Sequence, residues 1–136
     1  MKVFLDSNVL ISAALWPRGA TAECFRSVVN EHSLVVSDYV LDEVRRVTQK
    51  KFPARGGVVE EFLDAVVEFS VVAVTPDSPA ADEEAVRDDK DRPVLRGARA
   101  ARCDVLVTGD RDLLEAGVGD PMIIPPAEYL RRYQEG

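Results

Sequence analysis

Five short apolar runs suited to β-strands punctuate this chain, at residues 2–5, 34–36, 71–74, 105–107 and 122–124. The stretches between them carry helical patterning. Strands that alternate with helices imply a parallel sheet covered on both faces and joined by right-handed crossovers. The expected fold class is therefore α/β, a three-layer α/β/α sandwich around a central, mostly parallel sheet. A length of 136 residues suits one core. No internal repeat, low-complexity tract or long linker divides it, so residues 1–136 read as a single domain.

The helices are set by their caps and breakers. Ser7 or Asn8 can cap a helix that begins near Val9 and ends before Pro17. Thr21 can cap a second, through about Asn30. Ser37 and Asp38 offer capping oxygens to a helix over 39–51, which Pro53, Gly56 and Gly57 break. Further helices are expected over 58–69, 92–102 and 127–134, with a short one from Asp112 to Leu114. Pro93 fits the first turn of the 92–102 helix, where no backbone donor is needed. Residues 77–90 are acidic and poor in large apolar side chains, which reads in part as loop.

The acids stand where those strands end. Asp6 closes the first run, and Asp110 follows the fourth in Thr108-Gly109-Asp110-Arg111-Asp112. In open α/β sheets the carboxyl ends of the strands are where ligands bind. Glu43 lies beside the edge of the apolar stripe Val40, Val44, Val47, so its carboxylate can look over the rim of the sheet. Asp88-Asp89-Lys90-Asp91 precedes the arginine-rich helix. Each has an ordinary alternative: Asp6, Asp91 and Asp112 as helix caps, Glu43 as a solvated helix residue, Asp110 as a turn acid. Together they repel unless a cation sits among them, and oxygen ligands of this kind suit Mg2+ or Mn2+. Such a cation makes water acidic enough to attack phosphorus. Asp6, Glu43, Asp110 and the acids of the 88–91 run are thus the candidate metal-binding carboxylates, with Asp112 a helix cap first and a second-rank ligand. Asn8, Asp88 and Thr108 are accessory candidates: Asn8 to orient a carboxylate, Thr108 to bond a carboxylate or a phosphate.

Other chemistries have little to work with. His32 is the only histidine, which disfavours a hydroxyl–histidine–acid triad; it reads as a surface loop residue. Cys24 and Cys103, placed on separate expected helices, read as buried free thiols of a reducing compartment. A net charge of −7 argues against holding nucleic acid by bulk positive charge. The chain shows no signal-peptide pattern and no apolar stretch near the roughly 20 residues of a membrane span. A cytoplasmic location is expected.

The motifs resemble those of the PIN-domain nucleases. Asp6-Ser7-Asn8-Val9-Leu10-Ile11 is similar to that family's opening motif, and Glu43 falls where it places a helical glutamate. Asp88-Asp89-Lys90-Asp91 resembles its third acidic motif, with Asp91 the metal ligand. Val107-Thr108-Gly109-Asp110-Arg111-Asp112-Leu113-Leu114 resembles its fourth. The likeness spans nearly the whole chain. It implies a PIN-like sandwich that cuts single-stranded or structured RNA with magnesium or manganese. Small stand-alone, VapC-like members are often toxins of toxin–antitoxin pairs, so the resemblance also implies a cognate antitoxin and a homodimer. Arg92 departs from the pattern, standing where an acidic or small polar residue is common.

Two basic groups can guide RNA. Arg92, Arg96 and Arg99 form one stripe, opposite Val94, Leu95, Ala98 and Ala101; Arg45, Arg46, Lys50 and Lys51 form another on the Glu43 helix. Trp16 and Tyr39 can stack on bases or simply pack. Competing readings are a processing or DNA-acting nuclease of the same fold, and a catalytically weak binding module that works through dimer and partner surfaces. A phosphoacceptor receiver domain fits poorly, because no lysine follows the last strand.

Overall fold

A computed structural model describes residues 1–134. The five expected strands form one sheet in the order β3-β2-β1-β4-β5: β1 Lys2–Leu5, β2 Ser33–Ser37, β3 Val71–Ala73, β4 Val105–Val107 and β5 Met122–Ile124. All four pairings are parallel. The first three strands are laid down toward one edge; the chain then returns to place β4 on the other side of β1. That reversal leaves a crevice beyond the carboxyl ends of β1 and β4, the position where open α/β sheets take ligands.

The helices among the described residues are α1 Ser7–Leu15, α2 Ala20–Glu31, α3 Asp38–Lys51, α4 Gly56–Phe69, α5 Arg92–Ala100, α6 Arg111–Leu114 and α7 Pro126–Tyr133. They complete the three-layer sandwich. α1 packs against α2, α3 and α4, while α5 lies on β2 and β3. Val3, Phe4, Leu5, Val35, Leu106 and Val107 are fully enclosed at the centre, which is why those runs lack the polar alternation of a half-exposed strand.

Several boundaries differ from the sequence reading. α1 begins at Ser7, because Asp6 rather than Ser7 or Asn8 occupies the capping position. α4 begins at Gly56: a tight 3-10 turn at Pro53–Arg55 redirects the chain, and Gly56 already has helical dihedrals. α6 is capped by Asp110, and Asp112 lies within its first turn. Cys103 lies just beyond α5 instead of on a helix, because the chain turns out at Arg102, which adopts φ 57°. Both cysteines are buried and unpaired.

The acidic stretch before α5 is more ordered than its composition suggests. It contains a 3-10 turn at Glu83–Ala85, buries Glu83 and plugs Val86 into the core. Close packing at α5 depends on Gly97. A Cβ there would stand 3.0 Å from that of Ser37, the residue that caps α3.

Candidate active site

The ladder between β1 and β4 sets the first acid in place. The Asp6 amide extends the pairing by donating to the Val107 carbonyl at 3.0 Å, and the Thr108 amide donates to Ile124 at 3.1 Å. Asp6 and Thr108 therefore emerge side by side from the floor of the crevice. The Thr108 hydroxyl donates to Asp6 Oδ2 at 2.7 Å. Asp6 Oδ1 accepts the Ser7 amide, also at 2.7 Å, so the carboxylate caps α1 and faces the crevice at once.

Asn8 locks the two motifs together. Its Oδ1 accepts the Gly109 amide at 2.8 Å, while Nδ2 lies 3.3 Å from Asp6 Oδ2 and 3.4 Å from the Thr108 hydroxyl. Thr108 also accepts the Asp110 amide at 2.9 Å, which fixes the approach of that acid. Across the crevice, Ser7 Oγ donates to Glu43 Oε1 at 2.5 Å and holds the α3 carboxylate toward the others.

Asp91 joins the cluster from α5. It occupies the capping position of that helix, yet its side chain makes no capping bond. Its carboxyl instead faces that of Asp110 and lies within electrostatic reach of Asp6 and Asp88. Oxygens of Asp88, Asp91 and Asp112 all lie within 4.8 Å of one another. Asp91 thus belongs both to an inner group with Asp6, Glu43 and Asp110 and to an outer group with Asp88 and Asp112.

The electrostatics show what such crowding costs. Burial chiefly pushes Asp6 up to about 6, against the bonds from Thr108 and Ser7, and the charges of Glu43 and Asp110 push the same way. Asp91 is raised further, to about 8, by burial first and then by the neighbouring Asp110 and the charges of Asp6 and Asp88. At the periphery, Arg87 reaches Asp112 at 3.6 Å and Glu115 at 3.2 Å from an exposed position. An all-oxygen donor set with uncompensated negative charge is the chemistry a hard divalent cation satisfies. Among the described residues Asp88, Asp91 and Asp112 bring oxygens close enough together for such an ion, and Asp6, Glu43 and Asp110 stand beside them without joining that group.

A family model described as PIN domain matches residues 2–112, which contain every one of these acids. The chain belongs to the PIN domain family. Solved structures share the fold of this PIN domain. VapBC2 from Rickettsia felis, bound to a DNA fragment from their promoter, is 14% identical with a TM-score of 0.66, over 91% of this chain and 97% of that one. PAE2754 from Pyrobaculum aerophilum is 18% identical with a TM-score of 0.65, over 96% and 88%. VapC20 from Mycobacterium tuberculosis, described as a sarcin-ricin loop cleaving toxin, is 14% identical with a TM-score of 0.60, over 85% and 95%. No curated protein matches the chain.

The basic stripe on α5 of the PIN domain is engaged within the protein. Arg96 makes a forked pair with Glu83, at 2.7 Å through each nitrogen. Arg92 donates to the Val86 carbonyl at 3.0 Å, so the departure beside Asp91 points back into the acidic loop. Arg99 bonds the Asp120 and Ala81 carbonyls. These three side chains anchor the segment that delivers Asp88 and Asp91. Sequence reading missed Glu83 as the partner of Arg96, because one acid among many in residues 77–90 carries no mark of burial.

Other residues took different places from those expected. Tyr39 packs partly against the core and its hydroxyl donates to the Lys90 carbonyl at 2.5 Å, which tethers the acidic loop beside α3. Trp16 is exposed and stands edge-on to Phe52 with ring centres 6.0 Å apart. His32 ends α2 and packs edge-on against Tyr129 and Tyr133, away from the acids. Arg87 was not anticipated at the mouth; its pairing across residues 87–115 has no local sequence signature.

Proposed function

We propose that this PIN domain is a metal-dependent endoribonuclease that hydrolyses RNA phosphodiester bonds, using Mg2+ or Mn2+, and is the toxin half of a toxin–antitoxin pair. The observation that carries the reading is the gathering of acids beyond β1 and β4: Asp6 lies within electrostatic reach of Glu43 and Asp110, Asp91 within reach of Asp6 and Asp110, and both Asp6 and Asp91 have raised proton affinities.

When bound, a divalent cation supplies the Lewis acidity that makes water a competent nucleophile toward a phosphodiester at neutral pH. The chain's own residues prepare its place. Thr108, Ser7 and Asn8 fix the Asp6 carboxylate, and Ser7 fixes Glu43. Asp91, its proton affinity raised by burial and by Asp110, would be eased into its ionised form by a cation held beside it. Removing any one acid disturbs the others, because clustered carboxylates titrate as a unit.

The toxin reading draws on the shared fold with VapC20, whose description calls it a toxin, and with VapBC2. A cognate antitoxin and a homodimer follow from that reading. Exposed Val67, Phe69, Val71, Val72 and Val74 supply apolar surface for such contacts. No helix among the described residues is long and apolar enough to cross a membrane.

The test is incubation of the purified protein with a labelled mixed RNA pool, in magnesium, in manganese and in chelator, beside Asp110→Asn. Cleavage that needs metal and disappears in the variant supports the nuclease. A folded wild-type protein that leaves RNA intact under every metal contradicts it and favours the binding module; cutting of DNA alone favours the DNA-acting relative.

A further inference from the structure

We infer that Arg46 and Lys50, on one row of α3, lead single-stranded RNA to the acid centre, an inference that rests on the nuclease reading above. An acidic protein needs a local basic path if phosphates are to approach a cluster of carboxylates. The α5 arginines do not offer one, since Arg92, Arg96 and Arg99 are bonded to Val86, Glu83, Ala81 and Asp120. At the mouth, Arg87 is held by Asp112 and Glu115, and Arg111 by Glu115. Lys90 is exposed but follows Asp88 and Asp89, exposed acids whose charges offset its own.

α3 is different. At about 100° per residue, Tyr39, Glu43, Arg46 and Lys50 fall within roughly 60° of one another. Glu43 fixes the direction of that row, because Ser7 holds its carboxylate in the crevice. Arg46 lies beside the Tyr39 hydroxyl, one turn beyond Glu43, and Lys50 follows about 10 Å along the axis from Glu43. Both cations are exposed, and neither pairs with a carboxylate among the described residues. The nearby Asp42 is turned to Arg45, at 4.0 Å, and Arg45 itself bonds Glu60 at 2.8 Å off the row. The row therefore offers two free cations in line with the acids, as a phosphate backbone requires.

The track is tested by binding, without relying on cleavage. Fluorescence anisotropy with a labelled mixed-sequence single-stranded RNA is measured in magnesium, using Asp110→Asn as the parent. Into it go Arg46→Ala with Lys50→Ala or, as a control of equal charge change, Lys51→Ala with Arg55→Ala. Urea midpoints show that both stay folded. The row variant is expected to bind about tenfold more weakly at roughly 0.1 M salt, with a log–log salt slope shallower by about 1.4, from two lost phosphate contacts. The control keeps the parent's slope. Equal affinity and slope in both pairs, or a parent that binds no RNA, would overturn the track. Failure of wild-type cleavage bears separately on the nuclease reading.

Discussion

Replacing Asp91 by asparagine should stabilise the metal-free protein. Asp91 holds its proton to about pH 8 where an ordinary aspartate releases it near 3.8. At about 1.4 kcal/mol per pH unit, that gap sets a ceiling of about 5–6 kcal/mol on what the folded site exerts against the ionised carboxylate. The group is partly solvated, and screening brings the expected gain to about 2 kcal/mol. The sign follows from proton binding. Between pH 3.8 and 8 the folded state keeps a proton that the unfolded chain releases, so the wild type loses stability as pH rises through that window. Asp91→Asn carries no such penalty. In chelator, its advantage should be near zero at pH 4 and reach about 2 kcal/mol at pH 8.5, or about 6–10 °C in Tm for a domain of this size. Magnesium or manganese should narrow the gap, since a bound cation stabilises the wild type by mass action. Urea melts of both proteins at the two pH values, with and without metal, provide the measurement. An asparagine variant no more stable than wild type at pH 8.5, or equally advantaged at pH 4, would refute the claim that the cluster is under electrostatic strain.

Four other outcomes are expected. Gly97→Ala should cost about 1–3 kcal/mol in urea melts, because the new methyl meets Ser37 at 3.0 Å and one of the two elements must shift. Arg96→Ala should cost about 2–4 kcal/mol by leaving Glu83 enclosed without its fork, and Arg96→Lys should recover only part, since an ammonium cannot make both bonds. Thr108→Val removes a bond that favours the ionised form of Asp6, so the pH at which manganese binding is half-maximal should move upward in a calorimetric titration. Cys24 and Cys103, pushed up to about 12 and about 11 by burial, should resist a thiol reagent at pH 7.5 until the protein is denatured.

The fold was legible because its strands are wholly buried. Runs such as Val105-Leu106-Val107 have few alternatives once helical stretches flank them, whereas the strand order, with β4 returning to the other side of β1, appears only in the structure. The positions of Asp6 and Asp110 were legible for a related reason: Asp6 directly follows β1 and Asp110 stands three residues past β4, so both lie at the carboxyl ends of buried strands. The uses of the arginines were not legible. A helical wheel places Arg92, Arg96 and Arg99 on a polar face but is silent on what faces them, and here a folded acidic loop does. Capping assignments slipped similarly. Asp6 and Asp110 cap their helices as well as entering the site, while Asp91 holds a capping position without using it, and only tertiary contacts separate those cases.

The most direct measurement is a calorimetric titration of Mn2+ into the chelator-stripped protein and into Asp91→Asn at pH 7.5. The expected result is saturable binding with proton release in the wild type, because Asp91 and its neighbours must give up protons to take the ion, with affinity lost or sharply reduced in the variant. No binding to the wild type, or equal binding to both, would contradict a metal centre built on these acids.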